Sequence, residues 1–160
     1  MIIREVTQPS TVEDLISIAA TYQRSADQLA TLRRQLTKEL SEAGYNRFLY
    51  VGYEDDRAVG MIQIIVRNAD NDPELADGDA IAHLHNMQVR KDCQKRGLGT
   101  QLMDFVEDTA RKMGKQVLTL GVDDINERAV KLYQNRGYTI FKTEPGRVPE
   151  EKCFCMRLVL

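Results

Sequence analysis

The chain is poor in the residues that would mark a specialised class of protein. Its 160 residues include no tryptophan, four prolines and three cysteines. A small, odd number of cysteines does not indicate a disulfide framework. The N-terminus, MIIREVTQPS, lacks the charged start and long apolar stretch of a signal peptide, and no apolar run approaches the roughly 18 residues of a membrane span. We therefore expect a single domain over residues 1–160 and a cytoplasmic location.

Net charge and metal ligands are equally sparse. The formal net charge is −2, so general nucleic-acid binding, which needs a basic surface, is not expected. Cys153 and Cys155 share one face of a strand-like tail, but no other cysteine or histidine lies near them in sequence. We expect buried thiols there and no metal site. Cys93 is expected to have no chemical role.

The hydrophobic periodicity predicts an α/β fold, in which hairpins and crossover connections share a mixed sheet. Thr11 is expected to open the first helix, because Thr-x-x-Asp resembles a capping box. The segment from Glu54 to Arg57 is expected to form a hairpin turn. Helices are predicted at about residues 12–22, 26–43, 98–113 and 126–136, and strands at 2–6, 48–53, 58–66, 80–89, 117–122, 139–142 and 153–159. The predicted order is β-α-α-β-β-β-α-β-α-β-β.

The most informative segment is Gln94-Lys95-Arg96-Gly97-Leu98-Gly99-Thr100, between a predicted strand and a predicted helix. Backbone N–H groups at a helix N-terminus lack intrahelical partners and, together with the helix dipole, favour an anion. Glycine lets a ligand approach the backbone closely, because no Cβ intervenes. The segment therefore predicts a site for a phosphate-bearing cofactor.

Two common phosphate-binding loops do not fit this segment. A P-loop needs Gly-x-x-x-x-Gly-Lys-Ser/Thr, which the chain lacks. A dinucleotide fingerprint needs Gly-x-Gly-x-x-Gly, but Gly97-x-Gly99 is followed by Leu102 at the third position. A nucleotide-binding domain, which ATP or NAD would occupy, is therefore the weakest interpretation.

Two motifs together resemble the GNAT superfamily of N-acetyltransferases. The family's cofactor motif, Gln/Arg-x-x-Gly-x-Gly/Ala, is matched by Gln94, Gly97 and Gly99. Its downstream signature, Asn-x-x-Ala-x-x-Leu-Tyr followed by Gly-Tyr/Phe, is matched from Asn126 through Tyr138. The resemblance implies the GNAT acyl-CoA N-acyltransferase fold with splayed central strands. It also implies acetyl-CoA as the acyl donor.

The resemblance also implies how acetyl-CoA is held. Backbone N–H groups of Lys95 to Thr100 would surround the pyrophosphate, and nearby basic side chains would add positive charge. Pantetheine would pair with the exposed strand edge, where a backbone N–H would also stabilise the tetrahedral intermediate. Asn126 would contact the cofactor or only cap the last helix. The implied cofactor-binding residues are Met87, Gln88, Val89, Gln94, Lys95, Arg96, Gly97, Leu98, Gly99, Thr100 and Asn126, with Arg90 and Lys91 adding charge.

Acetyl transfer to an amine requires a base, an oxyanion stabiliser and an acid. Family members place a tyrosine like Tyr133 near the sulfur of CoA, where a phenol with an ordinary pKa near 10 can protonate the leaving thiolate. The alternative is a tyrosine that only packs in the core.

His83 and His85 lie two positions apart on one strand face. The sequence Ala82-His83-Leu84-His85 resembles the arylalkylamine N-acetyltransferases, in which a His-x-His pair assists deprotonation of the amine. Histidine suits proton transfer at neutral pH. His83 is favoured because it lies further from the predicted splay, and either histidine could act through water. The alternative is a pair of partly buried structural histidines.

The acceptor is left open by the sequence. Two acidic clusters precede the cofactor motif and would suit a cationic amine, although charged, solvated loop tips without a role explain them more simply. The clusters are Glu54, Asp55 and Asp56, and Asp70, Asp72, Glu74, Asp77 and Asp79. Small-molecule and peptide amines both remain candidates. A catalytically idle acyl-CoA-binding module on the same fold is the main alternative, and family members often form homodimers.

Overall fold

The computed structural model describes all residues, 1–160. Its strands and helices, in chain order, are β1 (Ile2–Glu5), α1 (Val12–Ala20), α2 (Ala26–Leu40), β2 (Arg47–Glu54), β3 (Arg57–Ile65), β4 (Ile81–Val89), α3 (Leu98–Lys112), β5 (Val117–Asp123), α4 (Glu127–Asn135), β6 (Thr139–Pro145) and β7 (Lys152–Val159). This order confirms the predicted succession of elements.

The residues form two compact units. The first comprises residues 1–65 and 86–108, and the second comprises residues 66–85 and 109–160. The strand order is β1-β2-β3-β4 in the first unit and β4-β5-β7-β6 in the second. Because antiparallel pairs and one parallel pair, β4 with β5, both occur, the sheet is mixed as predicted.

The core of the first unit lies between α1, α2 and the strands β2 and β3. Leucine and isoleucine recur at helical spacing on both helices, so each helix buries one stripe. Residues of alternate positions on the strands face the same way and meet those stripes. The buried cluster includes Leu15, Ile18, Leu32, Leu36, Leu49, Val51 and Met61.

In the second unit, the even-numbered residues of β5 are buried. Leu118, Leu120 and Val122 alternate with neighbours on the opposite face, as expected for a strand. Met156 of β7 pairs with Leu120 and is fully buried. Tyr133 of α4 is also buried within this unit.

The predicted capping box at Thr11 is wrong. Thr11 ends a short 3₁₀ turn, Pro9–Thr11, and has φ −76° and ψ −11°. That helical backbone differs from the extended conformation of a capping residue, and its side chain makes no capping bond. A full capping box instead opens α2, where Ser25 and Gln28 exchange side-chain and backbone hydrogen bonds.

The hairpin between β2 and β3 forms where it was predicted. Asp55 and Asp56 have φ of 48° and 59°, the left-handed pair that a two-residue hairpin turn requires.

No helix of the structure is both long enough and apolar enough to cross a membrane. No group of three or more His, Cys, Asp or Glu side chains is arranged to hold a metal ion.

Candidate functional site

The strand β4 extends beyond the residues that pair with β5. The parallel register ends at the pair Leu84 and Leu120, whereas β4 continues to Val89. Soon after the last pair comes Asn86, with φ +53°, a left-handed backbone that is uncommon for a residue other than glycine. The residues of β4 from His85 to Val89 therefore lie beyond its pairing with β5, and the splay of the two strands stays a prediction.

The segment predicted to meet pantetheine contains an unsatisfied polar atom. The Nε2 atom of Gln88 donates a hydrogen bond to Oδ1 of Asn86 at 2.9 Å. The Oε1 atom of Gln88 is buried and has no hydrogen-bond partner. An unpaired buried acceptor costs a folded protein about 1–3 kcal/mol. A ligand N–H that donated to this oxygen would remove that cost and so favour binding.

The glycine-bearing turn has the backbone shape of an anion site. Lys95 and Gly97 have φ of +63° and +79°, and α3 begins immediately afterwards at Leu98. The N–H of Gln101 donates to the carbonyl of Gly97 at 3.1 Å, which makes this the first hydrogen bond of the helix. The N–H groups of residues 98–100 therefore have no partner within the helix.

The two glycines of the turn serve different purposes. Gly97 needs its left-handed φ of +79°, although a Cβ there would meet nothing within 4 Å. Gly99 has no such φ, and a Cβ would make only an ordinary contact of 3.9 Å with Val89. Backbone conformation therefore explains glycine at position 97 and leaves position 99 to be explained by close approach of a ligand.

Two of the basic residues near the turn have partners inside the first unit. Arg96 forms an ion pair with Glu54 at 2.9 Å. The side chain of Arg90 lies 3.2 Å from Asp92 and donates to the carbonyl of Ser17 at 3.1 Å. Arg90 is only 15% exposed, so its guanidinium braces the turn against α1.

The end of α1 is fastened to the same turn by two further residues, which the sequence did not single out. The hydroxyl of Tyr22 donates to the carbonyl of Val89 at 2.5 Å and accepts from Nε2 of Gln94 at 2.9 Å. The hydroxyl of Thr21 accepts from the N–H of Lys91 at 3.0 Å. The side chain of Gln94 is thus engaged with Tyr22, which leaves its backbone for a ligand.

The second unit holds the two histidines together on one face of β4. His83 is 3% exposed, and His85 is partly exposed. Their ring centroids are 6.3 Å apart. Nδ1 of His83 lies 2.8 Å from the hydroxyl of Thr119 on β5, and that hydroxyl lies 2.7 Å from the carbonyl oxygen of Leu75. Thr119 faces His83 in the parallel register of β4 and β5, and no local sequence pattern marks it as a site residue.

Several carboxylates of the acidic clusters have partners within the protein. Asp72 and Glu74 both contact Nζ of Lys142, at 2.5 and 3.3 Å. The hydrogen bond from Lys142 lowers the pKa of Asp72, and the pairing raises the pKa of Lys142. The carboxylate of Asp77 accepts from two backbone N–H groups at 2.8 Å, those of Asp79 and Ile81. These contacts favour a structural role for much of the second cluster.

Tyr133 lies on the buried side of α4. It is 8% exposed, and its ring centroid is 5.8 Å from that of Tyr138. Burial raises the pKa of the Tyr133 phenol above its ordinary value of 10, because desolvation disfavours the phenolate. The phenol therefore stays protonated at neutral pH, as a proton donor must.

Asn126 caps α4. Its side-chain Oδ1 accepts a hydrogen bond from the N–H of Ala129 at 3.2 Å. The structure thus confirms the capping alternative, and contact with a cofactor stays a prediction.

Elsewhere, a surface cavity of about 360 Å³ lies along α2, and no predicted site residue lines it. Its lining residues are Arg24, Asp27, Gln28, Thr31, Leu32 and Gln35.

Comparison with known proteins adds independent evidence on the family of the chain. A family model described as acetyltransferase (GNAT) family matches residues 12–138. An N-acetyltransferase of Lactobacillus delbrueckii subsp. lactis is 37% identical over 94 residues, which are 59% of this chain and 53% of the relative. An L-amino acid N-acyltransferase of Escherichia coli is 33% identical over 61 residues, 38% of this chain and 36% of the relative. The chain therefore spans about half or less of the length of these curated relatives.

The fold is also found in solved structures. The PaiA N-acetyltransferase of Thermoplasma acidophilum, determined in complex with coenzyme A, aligns with a TM-score of 0.69 over 100% of both chains at 18% identity. At this identity the likeness concerns the fold alone.

Proposed function

The chain belongs to the acetyltransferase (GNAT) family, and we propose that it transfers the acetyl group of acetyl-CoA to a primary amine. The observation that carries the proposal is the left-handed turn at Gly97, which is followed at the start of α3 by N–H groups without partners inside the helix. The proposal treats residues 1–160 as one acetyltransferase domain, which the family match from residue 12 to residue 138 supports.

In this proposal residues 87–100 hold the cofactor. The pyrophosphate of acetyl-CoA accepts hydrogen bonds from the N–H groups of residues 95–100, where the dipole of α3 also favours its charge. Pantetheine lies along residues 87–89 of β4, which extend past the β4–β5 pairing. The unpaired Oε1 of Gln88 supports a donor-bearing ligand in this segment. A backbone N–H of the same segment stabilises the oxyanion.

The proposed proton-transfer groups are His83, His85 and Tyr133. The amine arrives as R–NH₃⁺ and loses one proton to His83 or His85, directly or through water. Its lone pair attacks the thioester carbon, and the C–S bond breaks as the tetrahedral intermediate collapses. Tyr133 protonates the departing thiolate, and the new amide nitrogen releases its surplus proton, which restores the phenol. The net reaction gives the acetamide, CoA and one proton.

The acceptor in this proposal is a small-molecule or peptide amine. The Escherichia coli relative acts on L-amino acids by its name, and a Salmonella typhimurium relative acetylates methionine sulfoximine and methionine sulfone. Amino acids therefore belong at the head of a panel that includes polyamines, arylalkylamines, aminoglycosides and peptide N-termini. A homodimer and a cytoplasmic location stay predictions from the sequence.

An assay of CoA release across that amine panel tests the proposal. We expect thiol release to depend on one amine class and to be inhibited by desulfo-CoA, while ATP and NAD leave it unchanged. Tight CoA binding with no acetyl transfer to any amine would instead favour an idle acyl-CoA-binding module. Competition by ATP or NAD would contradict the cofactor assignment.

A further inference from the structure

The hydroxyl of Thr119 joins His83 to the loop between β3 and β4. Nδ1 of His83 lies 2.8 Å from this hydroxyl, and the carbonyl oxygen of Leu75 lies 2.7 Å from it on another side. Both Thr119 and His83 are buried, with exposures of 1% and 3%, and Leu75 is buried with them. The three groups therefore form a short chain of hydrogen bonds that is shielded from bulk water.

Which group donates in each of these hydrogen bonds follows from the number of protons that the three groups carry. A hydroxyl carries one proton, and a carbonyl oxygen can only accept. At 2.7 Å from Leu75, the Thr119 hydroxyl donates its proton to that carbonyl, so its lone pairs face Nδ1 of His83. Two lone pairs at 2.8 Å would repel each other, and the contact therefore requires a proton on Nδ1.

We propose that Thr119 is a positioning residue that holds His83 in the Nδ1–H tautomer and thereby makes Nε2 the basic nitrogen. The inference rests on the proposed function, because it assigns the atom of His83 that receives the proton from the amine. An uncharged ring protonated at Nδ1 carries its lone pair on Nε2.

The same arrangement stabilises the ring after it accepts a proton. R–NH₃⁺ transfers one proton to Nε2 and becomes R–NH₂, while the Nδ1–H bond to Thr119 is retained. The pKa of Asp72 is lowered first by the hydrogen bond from Lys142 and also by positive charge on His83, so the Asp72 carboxylate favours the resulting imidazolium. Lys142 anchors that carboxylate from β6 at 2.5 Å, and His85 is the other titratable ring on the same strand face.

Nitrogen NMR identifies the tautomer of His83 directly, and the measurement does not depend on enzymatic activity. The chain contains only two histidines, so long-range ¹H–¹⁵N spectra of the full-length protein yield two ring patterns, and His85→Gln assigns them. We expect a protonated Nδ1 and an unprotonated Nε2 for His83 above the pH at which the ring becomes neutral. A protonated Nε2 in the wild-type protein would overturn the inference.

Two substitutions of Thr119 separate the hydroxyl from side-chain volume. Thr119→Val keeps the branched shape but removes the acceptor for Nδ1, and we expect the His83 pattern to move towards Nε2–H. We also expect kcat to fall at least tenfold, while the KM for acetyl-CoA stays within twofold. Thr119→Ser retains the hydroxyl and should restore both the tautomer and kcat to within threefold. Thermal melting shows whether both variants are folded.

The outcomes distinguish this inference from the proposed function. A Thr119→Val variant that changes the tautomer without changing kcat would exclude a role for the chain in the reaction, while leaving acetyl transfer intact. A variant that retains Nδ1–H would show that Thr119 does not set the tautomer. If the wild-type protein shows the expected tautomer but acetylates no amine, the proposed function fails, whereas the hydrogen-bond assignment is supported.

Discussion

Replacement of Gly97 by alanine should have two separate effects. It should lower the stability of the protein, and it should also raise the Kd for CoA. The φ of +79° at this position costs a residue with a Cβ about 1–2 kcal/mol. No atom lies within 4 Å of the added Cβ, so steric overlap contributes nothing. For a chain of this length, the loss corresponds to a fall in melting temperature of roughly 2–8 °C.

Relief of that strain would turn the peptide groups of the turn away from the cofactor. A hydrogen bond from a backbone N–H to a charged phosphate contributes about 1.5–3 kcal/mol. Loss of one such bond raises the Kd for CoA by about ten- to a hundredfold. Isothermal titration calorimetry with CoA measures this change directly, and the binding enthalpy should become less favourable as well.

Gly114 provides a matched control. It has φ +75° just beyond the end of α3, and a Cβ there would also meet nothing within 4 Å. Gly114→Ala should therefore lower the melting temperature about as much as Gly97→Ala does, yet leave the Kd for CoA unchanged. Equal effects of the two substitutions on the Kd, or no effect of either, would refute the assignment of the turn as the phosphate site.

Three further substitutions test other residues. Tyr133→Phe should reduce kcat by about a hundredfold or more with little change in the KM for acetyl-CoA, measured by steady-state kinetics; unchanged turnover would remove Tyr133 from the mechanism. Tyr22→Phe removes the hydroxyl that joins Val89 to Gln94 and should raise the Kd for CoA by about three- to tenfold; an unchanged Kd would contradict this bracing role. Lys142→Met removes the partner that lowers the pKa of Asp72, so its stability deficit should be present at pH 7 and shrink as the pH falls below about 4; a deficit that persists at pH 2 would show that the ion pair is not its cause.

The order of the elements could be predicted because each element has its own local signal. Periodic leucines marked α2, and the two glycines Gly97 and Gly114 marked the ends of α3, where the structure has left-handed turns. The bounds of the elements were less well predicted. The helix expected at residues 26–43 ends at Leu40, because the residues after it form turns.

The capping error at Thr11 has a specific cause. Pro9 fixes a 3₁₀ turn ahead of α1, and that turn gives Thr11 a helical backbone before the helix begins. A capping side chain needs an extended backbone to reach the free N–H groups. The four-residue motif was present in the sequence, but the conformation on which it depends was set by the residues before it.

The contacts around the candidate site depend on distant partners and had no local signal. Tyr22 is 67 residues away from Val89 in sequence, and Thr119 is 36 residues away from His83. Only the tertiary structure brings such pairs together. The sequence could therefore identify His83 and Gln94 as candidates, but not the hydroxyl groups that hold their side chains.

The most direct test of acetyl transfer is to follow a labelled acetyl group. Wild-type protein, ¹³C-acetyl-CoA and each amine of the panel are incubated, and the products are identified by mass spectrometry. The account predicts an N-acetylated amine that carries the label, together with an equimolar amount of free CoA. Bound CoA with no labelled amine in any reaction would contradict it.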